Sequence, residues 1–130
     1  MLGMNPVLLI NDDKGLMLEM KNILNELKIE FVAAGTAARA MSLATDHDFS
    51  LAIIDLKLAD MDGDELYEKL LKRESHYDLP VGILLNTMDK EELDVINRWV
   101  PNLPVTLLSV PLAKEVFRGF VEKHAGSAVA

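Results

Sequence analysis

Leu51-Ala52-Ile53-Ile54-Asp55 decides the fold, together with Val7-Leu8-Leu9-Ile10 and the acids Asp12 and Asp13 that follow it. Short, continuous apolar runs of this kind read as strands buried on both faces, as in parallel sheets. In open α/β sheets, ligands bind outside the carboxyl ends of the strands. Both acid groups fall at that edge. Three carboxylates meeting there suit a hard divalent cation, and one of them can serve as a nucleophile toward phosphorus.

Outward from these runs, strand and helix patterns alternate. From Leu16, the positions Leu16, Met20, Ile23, Leu24 and Leu27 fall on one helix face, with Asp12 or Asp13 as the cap. Phe31-Val32-Ala33 reads as a short second strand. Ala37, Ala40, Met41 and Ala44 mark a second helix with a small-residue face, capped by Thr36. After the third strand, Leu51–Ile54, the triplet Asp62-Gly63-Asp64 reads as a loop. Leu66, Tyr67, Leu70 and Leu71 give a third helix ending near Arg73–Tyr77. Pro80 precedes a fourth strand, Val81–Leu85. Asp89-Lys90-Glu91-Glu92 opens a fourth helix, its acids well placed for the helix dipole, with Leu93, Ile96 and Val100 on its apolar side. Pro101 and Pro104 bracket a turn into a fifth strand, Val105–Leu108. Ala113, Val116, Phe117, Phe120 and Val121 then read as the buried face of a last helix, and Ala125–Ala130 as a frayed end.

The pattern is (βα)5, without an internal repeat or a domain boundary. Right-handed crossovers place helices on both faces of a parallel sheet, so the expected fold is a flavodoxin-like, doubly wound α/β domain with five parallel strands. Residues 1–130 read as one domain, with an ordered core over about residues 6–123.

The composition narrows the function. Half of the residues are apolar, about a quarter are charged and none is cysteine, which fits a soluble cytoplasmic protein and excludes a disulfide framework or a thiolate metal site. No apolar run approaches the roughly 20 residues of a membrane span, and the first residues lack a signal-peptide pattern. A net charge of −8 disfavours direct binding to nucleic acid. His47, His76 and His124 are scattered and suggest no site, Trp99 reads as packing at a helix end, and the seven methionines read as core filler. Lys114, Arg118 and Glu122 share a row on the last helix, which reads as a solvated face with an Arg118–Glu122 pair.

The stretch Asp55-Leu56-Lys57-Leu58-Ala59-Asp60-Met61-Asp62-Gly63 looks like the Asp-x-x-Met-Pro-x-Met-Asp-Gly of a known family, with Leu58 for the first methionine and Ala59 for the proline. The pair Asp12-Asp13 after the first strand is a second match. Val110-Pro111, where the family has Lys-Pro, is a third. The chain resembles the receiver domain of two-component response regulators from about Pro6 to Lys123. The resemblance implies that Asp55 is a phosphoacceptor. It also implies Mg2+ held by Asp12, Asp13, Asp55 and the backbone carbonyl of Lys57. A partner, whether a histidine kinase or a downstream effector, is implied on the face of the fourth helix, fifth strand and fifth helix.

Three positions depart from the family. Counted from Pro80, the hydroxyl residue that ends the fourth strand falls at Leu85. The aromatic switch of the fifth strand falls at Leu107, and the lysine before the proline at Val110. Leu85 and Leu107 are expected to pack against each other or against nearby core. A bulge would bring Asn86 or Thr87 into the hydroxyl's role, and Ser109 adjoins the lysine position. Three carboxylates without a fixed cation should raise at least one pKa unless a metal binds. Lys57 reads as a solvated lysine that would compensate only by swinging back.

The favoured expectation is an atypical receiver, not an enzyme, that serves a phosphorelay as a signalling and protein-interaction module with phosphorylation weak or absent. The alternative is a conventional receiver phosphorylated on Asp55 by a histidine kinase. A third reading is a Mg2+-dependent phosphoryl-transfer enzyme. No output domain follows, so the expectation is a stand-alone or excised receiver.

Overall fold

The computed structural model describes residues 5–71, 79–99 and 105–125, with the side chains of Leu71 and Trp99 outside that set. Five strands alternate with five helices: β1 (Val7–Ile10), α1 (Lys14–Glu26), β2 (Phe31–Ala34), α2 (Ala37–Asp46), β3 (Leu51–Asp55), α3 (Gly63–Leu71), β4 (Val81–Asn86), α4 (Lys90–Trp99), β5 (Thr106–Val110) and α5 (Lys114–His124). The sheet is parallel in the order β2-β1-β3-β4-β5. The chain runs outward from β1 in one direction and then, from β3, in the other. The switch point between β1 and β3 is where doubly wound folds open a binding crevice. Ile10 pairs with Ala34 on one side and Ile54 on the other, so the end of β1 is held by two ladders.

All four side chains of β1 are buried, because helices cover both faces of the sheet. Leu8, Ile10, Ala52, Ile54, Ile83 and Leu85 pack beneath α2, α3 and α4. Val7, Leu9, Leu51, Ile53, Leu84 and Leu108 pack beneath α1 and α5. Each fully buried side chain of this size contributes about 1.5–3 kcal/mol relative to exposure.

Helix boundaries follow local chemistry. The Asp13 carboxylate accepts from the Leu16 N–H at 3.0 Å, so Asp13 caps α1, which starts at Lys14 instead of Leu16. The Thr36 hydroxyl accepts from the Arg39 N–H at 3.1 Å and caps α2. At the other end of α1, Lys28 takes φ 60°. Its N–H reaches the Asn25 carbonyl at 3.1 Å and the Ile29 N–H reaches the Leu24 carbonyl at 3.0 Å. This is the Schellman arrangement, with lysine where glycine is usual.

Several expectations change. Gly63 and Asp64 begin α3, where the sequence suggested a loop. A Cβ on Gly63 would stand 2.8 Å from the Leu56 Cα, so only glycine fits beside that backbone. β2 extends to Ala34, β3 takes in Asp55, and β4 runs to Asn86. β5 starts one residue late and continues to Val110. On α5, Phe117, Phe120 and Val121 are buried, but Ala113 is exposed and Val116 is 58% exposed. Val116 is one residue from Phe117, about 100° round the helix, and therefore faces away from the sheet. Arg118 pairs with Glu26 of α1 at 2.9 Å in place of the expected pairing with Glu122. Ala125 is buried against the α5 side of the core, where the sequence suggested fraying. The expected end of α3 near Arg73–Tyr77, His76, the side chain of Trp99, Val100, Pro101, Pro104 and the last five residues lie outside the described residues.

Candidate functional site

The site forms where β1 and β3 end side by side. Asn11 follows β1 and is only 2% exposed. Its Oδ1 accepts from the Asp13 N–H at 2.7 Å, which turns the chain toward α1. Its Nδ2 donates to Asp55 Oδ2 at 3.1 Å. The other Asp55 oxygen, Oδ1, accepts from the Lys57 N–H at 3.2 Å.

The segment after Asp55 is tied to three neighbours. The Ala59 N–H donates to Asp12 Oδ2 at 3.2 Å. The Asp60 carboxylate accepts from the Ala37 N–H at 2.9 Å and the Ala38 N–H at 3.0 Å, at the positive end of α2. These two N–H groups hold the Asp60 pKa below its ordinary value. The Lys57 ammonium meets Glu91 of α4 at 2.6 Å.

Asp12, Asp13, Asp55, Asn86, Glu92 and Val110, with Asn11, line one pocket of about 230 Å³. Asn86 Oδ1 accepts from the Met88 N–H at 2.9 Å, and Glu92 Oε1 accepts from the Asn86 N–H at 3.0 Å. Burial pushes the Asp55 pKa from 3.8 to about 6, against the lowering effect of the Lys57 N–H. The neighbouring charges of Asp12, Glu92 and Asp13 push the same way as burial. The Val110–Pro111 peptide is cis.

A family model described as the response regulator receiver domain matches residues 7–100. The chain belongs to the receiver-domain family. It is similar over 116 residues to the aerobic respiration control sensor proteins ArcB of Escherichia coli and Shigella flexneri, at 26% identity. The match covers 88% of this chain but 15% of those proteins, so the receiver spans a small part of their length. Among solved structures it resembles a CheY-like receiver domain from Methanospirillum hungatei, with a TM-score of 0.77, 21% identity and 93% of each chain covered. It also resembles the chemotaxis response regulator CheY4 of Vibrio cholerae, with a TM-score of 0.78, 18% identity, and 92% of this chain and 98% of that one covered. The expected doubly wound (βα)5 architecture is the one found. Receivers are signalling modules of two-component phosphorelay systems, and this chain is one of them.

The receiver's structure brings Asp12, Asp13, Asp55, Lys57 and Val110 to one pocket. The Lys57 side chain does not swing toward Asp55 but is held at Glu91. Leu85 is buried beneath α2, α3 and α4. Leu107, expected to pack with it, is 39% exposed, and its register partner is Ile83. Ser109 stands opposite Leu85 but does not line the pocket, and neither does Thr87. Asn86 does.

The residues that sequence reasoning missed are Asn11 and Glu92. A polar residue closing a fully apolar strand, directly before the acid pair, was the available signal for Asn11. Glu92 had no such signal, because its place beside Asp55 depends on how α4 packs. Among the described residues, no three His, Cys, Asp or Glu side chains close into a cluster spaced to hold a metal ion. The donor chemistry nonetheless fits a hard cation. Asp12 and Asp13 each give one oxygen to a backbone N–H and keep the other, and the charges acting on Asp55 are all negative. Mg2+ keeps several waters and needs only one or two carboxylates, not a closed cage.

Proposed function

We propose that this receiver is a signalling and protein-interaction module in which phosphorylation of Asp55 is weak or absent. The observation that carries the reading is the make-up of the pocket and its surroundings. Val110 lines it at the lysine position, Leu85 is buried at the hydroxyl position, and the Lys57 ammonium is engaged by Glu91. Phosphoryl oxygens on Asp55 would lack a charge-assisted partner worth about 1.5–3 kcal/mol. That is a factor of roughly ten to a hundred in the stability of the acyl phosphate.

Asp12, Asp13, Asp55 and the Lys57 carbonyl are the groups that would hold Mg2+, which would supply charge neutralisation at the acid cluster. We place the partner surface on α4, β5 and α5, where Leu107 and Val116 are exposed. Its partner is a histidine kinase or a downstream effector, and its setting is the cytoplasm. The chain works as one receiver unit and turns over no separate substrate. A second reading, a conventional phosphoacceptor, draws support from the convergence of Asp12, Asp13 and Asp55 on one pocket.

Intact mass separates the two after incubation with Mg2+ and a small phosphodonor, with Asp55→Asn as control. The expected result is little or no adduct. A stoichiometric, Asp55-dependent adduct would replace this reading with the conventional one.

A further inference from the structure

We propose that Asn11 is the positioning residue of this acid site. Its buried side-chain amide locks the Asp55 carboxylate and the Asp12–Asp13 turn into one register, as a neutral donor in a pocket without a committed cation. The proposal rests on reading Asp12, Asp13 and Asp55 as a single functional site.

The amide has only one consistent orientation. The Asp13 N–H is a donor, so it must face the amide oxygen, and the distance is 2.7 Å. Nδ2 is thereby left to Asp55 Oδ2 at 3.1 Å, a carboxylate oxygen that can only accept while ionised. Asn11 itself has little freedom. It is 2% exposed, its own N–H bonds to the Ala34 carbonyl at 3.1 Å, and it follows a strand paired on both sides. A rigid amide therefore joins the ends of β1 and β3, 44 residues apart in the chain.

Carboxylates that bind a metal work best when hydrogen bonds fix their orientation, and loss of such partners lowers metal affinity. In this chain that task falls to an amide, whose donor is present at every pH. Val110 and the Glu91-bound Lys57 ammonium supply no side-chain donor, and the Lys57 backbone N–H reaches only the other carboxylate oxygen, Oδ1.

The test uses the intact 13C/15N-labelled chain and reads three things by NMR: the Asp55 side-chain carboxyl signal, the Asn11 side-chain amide pair and Mg2+ titration. The wild type should show slowly exchanging Asn11 amide protons that move in Asp55→Ala but not in Lys57→Ala. Asn11→Ala should shift the Asp55 carboxyl signal and weaken Mg2+ binding by at least about tenfold. Asn11→Asp keeps the shape and the acceptor for the Asp13 N–H but loses the donor. It should shift the Asp55 signal as well, and it carries the comparison if Asn11→Ala fails to fold. An Asp55 carboxyl signal identical to wild type in the folded variants would overturn the proposal. A wild type that does not respond to Mg2+ would overturn the metal reading instead, and the carboxyl signal alone would then decide the role of Asn11.

Discussion

Asp55 is a half-buried acid among acids, and its pKa of about 6 compares with an ordinary 3.8. Between those values the folded chain holds a proton that the unfolded chain has lost. Stability from this group is therefore full below about pH 4 and falls as the pH rises through 6. Asp55→Asn removes the effect. At pH 7 the variant should be more stable than wild type by about 1–2 kcal/mol, after discounting for solvent screening. At pH 4 the difference should vanish. Urea melts at both pH values measure it, and an equal difference at both would refute the burial argument. The acids themselves were legible in the sequence, because charge directly after a buried strand has few other places to go. Their partners were less so. Asn11 is joined to Asp55 by a contact between residues 44 positions apart, which no local pattern encodes. Leu107 was misread because aliphatic character says nothing about which face of an edge strand a residue occupies.

Lys28 ends α1 in the left-handed conformation, at φ 60°, where a Cβ is strained and glycine is not. Lys28→Gly should therefore stabilise the chain by about 0.5–1 kcal/mol, the relief of left-handed strain less the added freedom of the unfolded state. Thermal melts of the two proteins give the sign, and a loss of stability would show that contacts of the Lys28 side chain outweigh the strain. β1 and β3 were easy to read because four consecutive apolar residues between turn signals suit a buried strand at that length, whereas β5, with Thr106 and Ser109 in it, was misplaced at both ends. Helix faces were harder to read. Phe117 and Val116 look alike in a hydropathy pattern, yet one is buried and the other is 58% exposed. Gly63 looked like loop punctuation because its real constraint, the close approach of the Leu56 backbone, is tertiary.

Across the whole molecule, two separate apolar clusters clamp one sheet. Phe117 is fully buried in the cluster beneath α1 and α5, so Phe117→Ala should cost about 3–5 kcal/mol. That is a large share of the 5–15 kcal/mol typical of a domain. Because both clusters share the same strands, near- and far-UV circular dichroism should report a single coincident transition. Separate transitions would mean that the two sides of the sheet unfold independently. The overall architecture was legible because alternation of strand and helix at this length leaves few right-handed solutions. The pocket's lining was only partly legible: Val110 was placed beside the acids, but Asn86 and not Leu85 lines the pocket there, because the side chains of a strand alternate between its two faces.

Residues 57–60 are fastened to Glu91, to Asp12 and to the start of α2. A loop held in three jaws has little slack through which to sample other shapes. A small ligand that approaches Asp55 past it would meet nearly the same template at every encounter. Little ordering entropy is then lost on binding, and capture is limited by diffusion and orientation more than by waiting for a rare conformer.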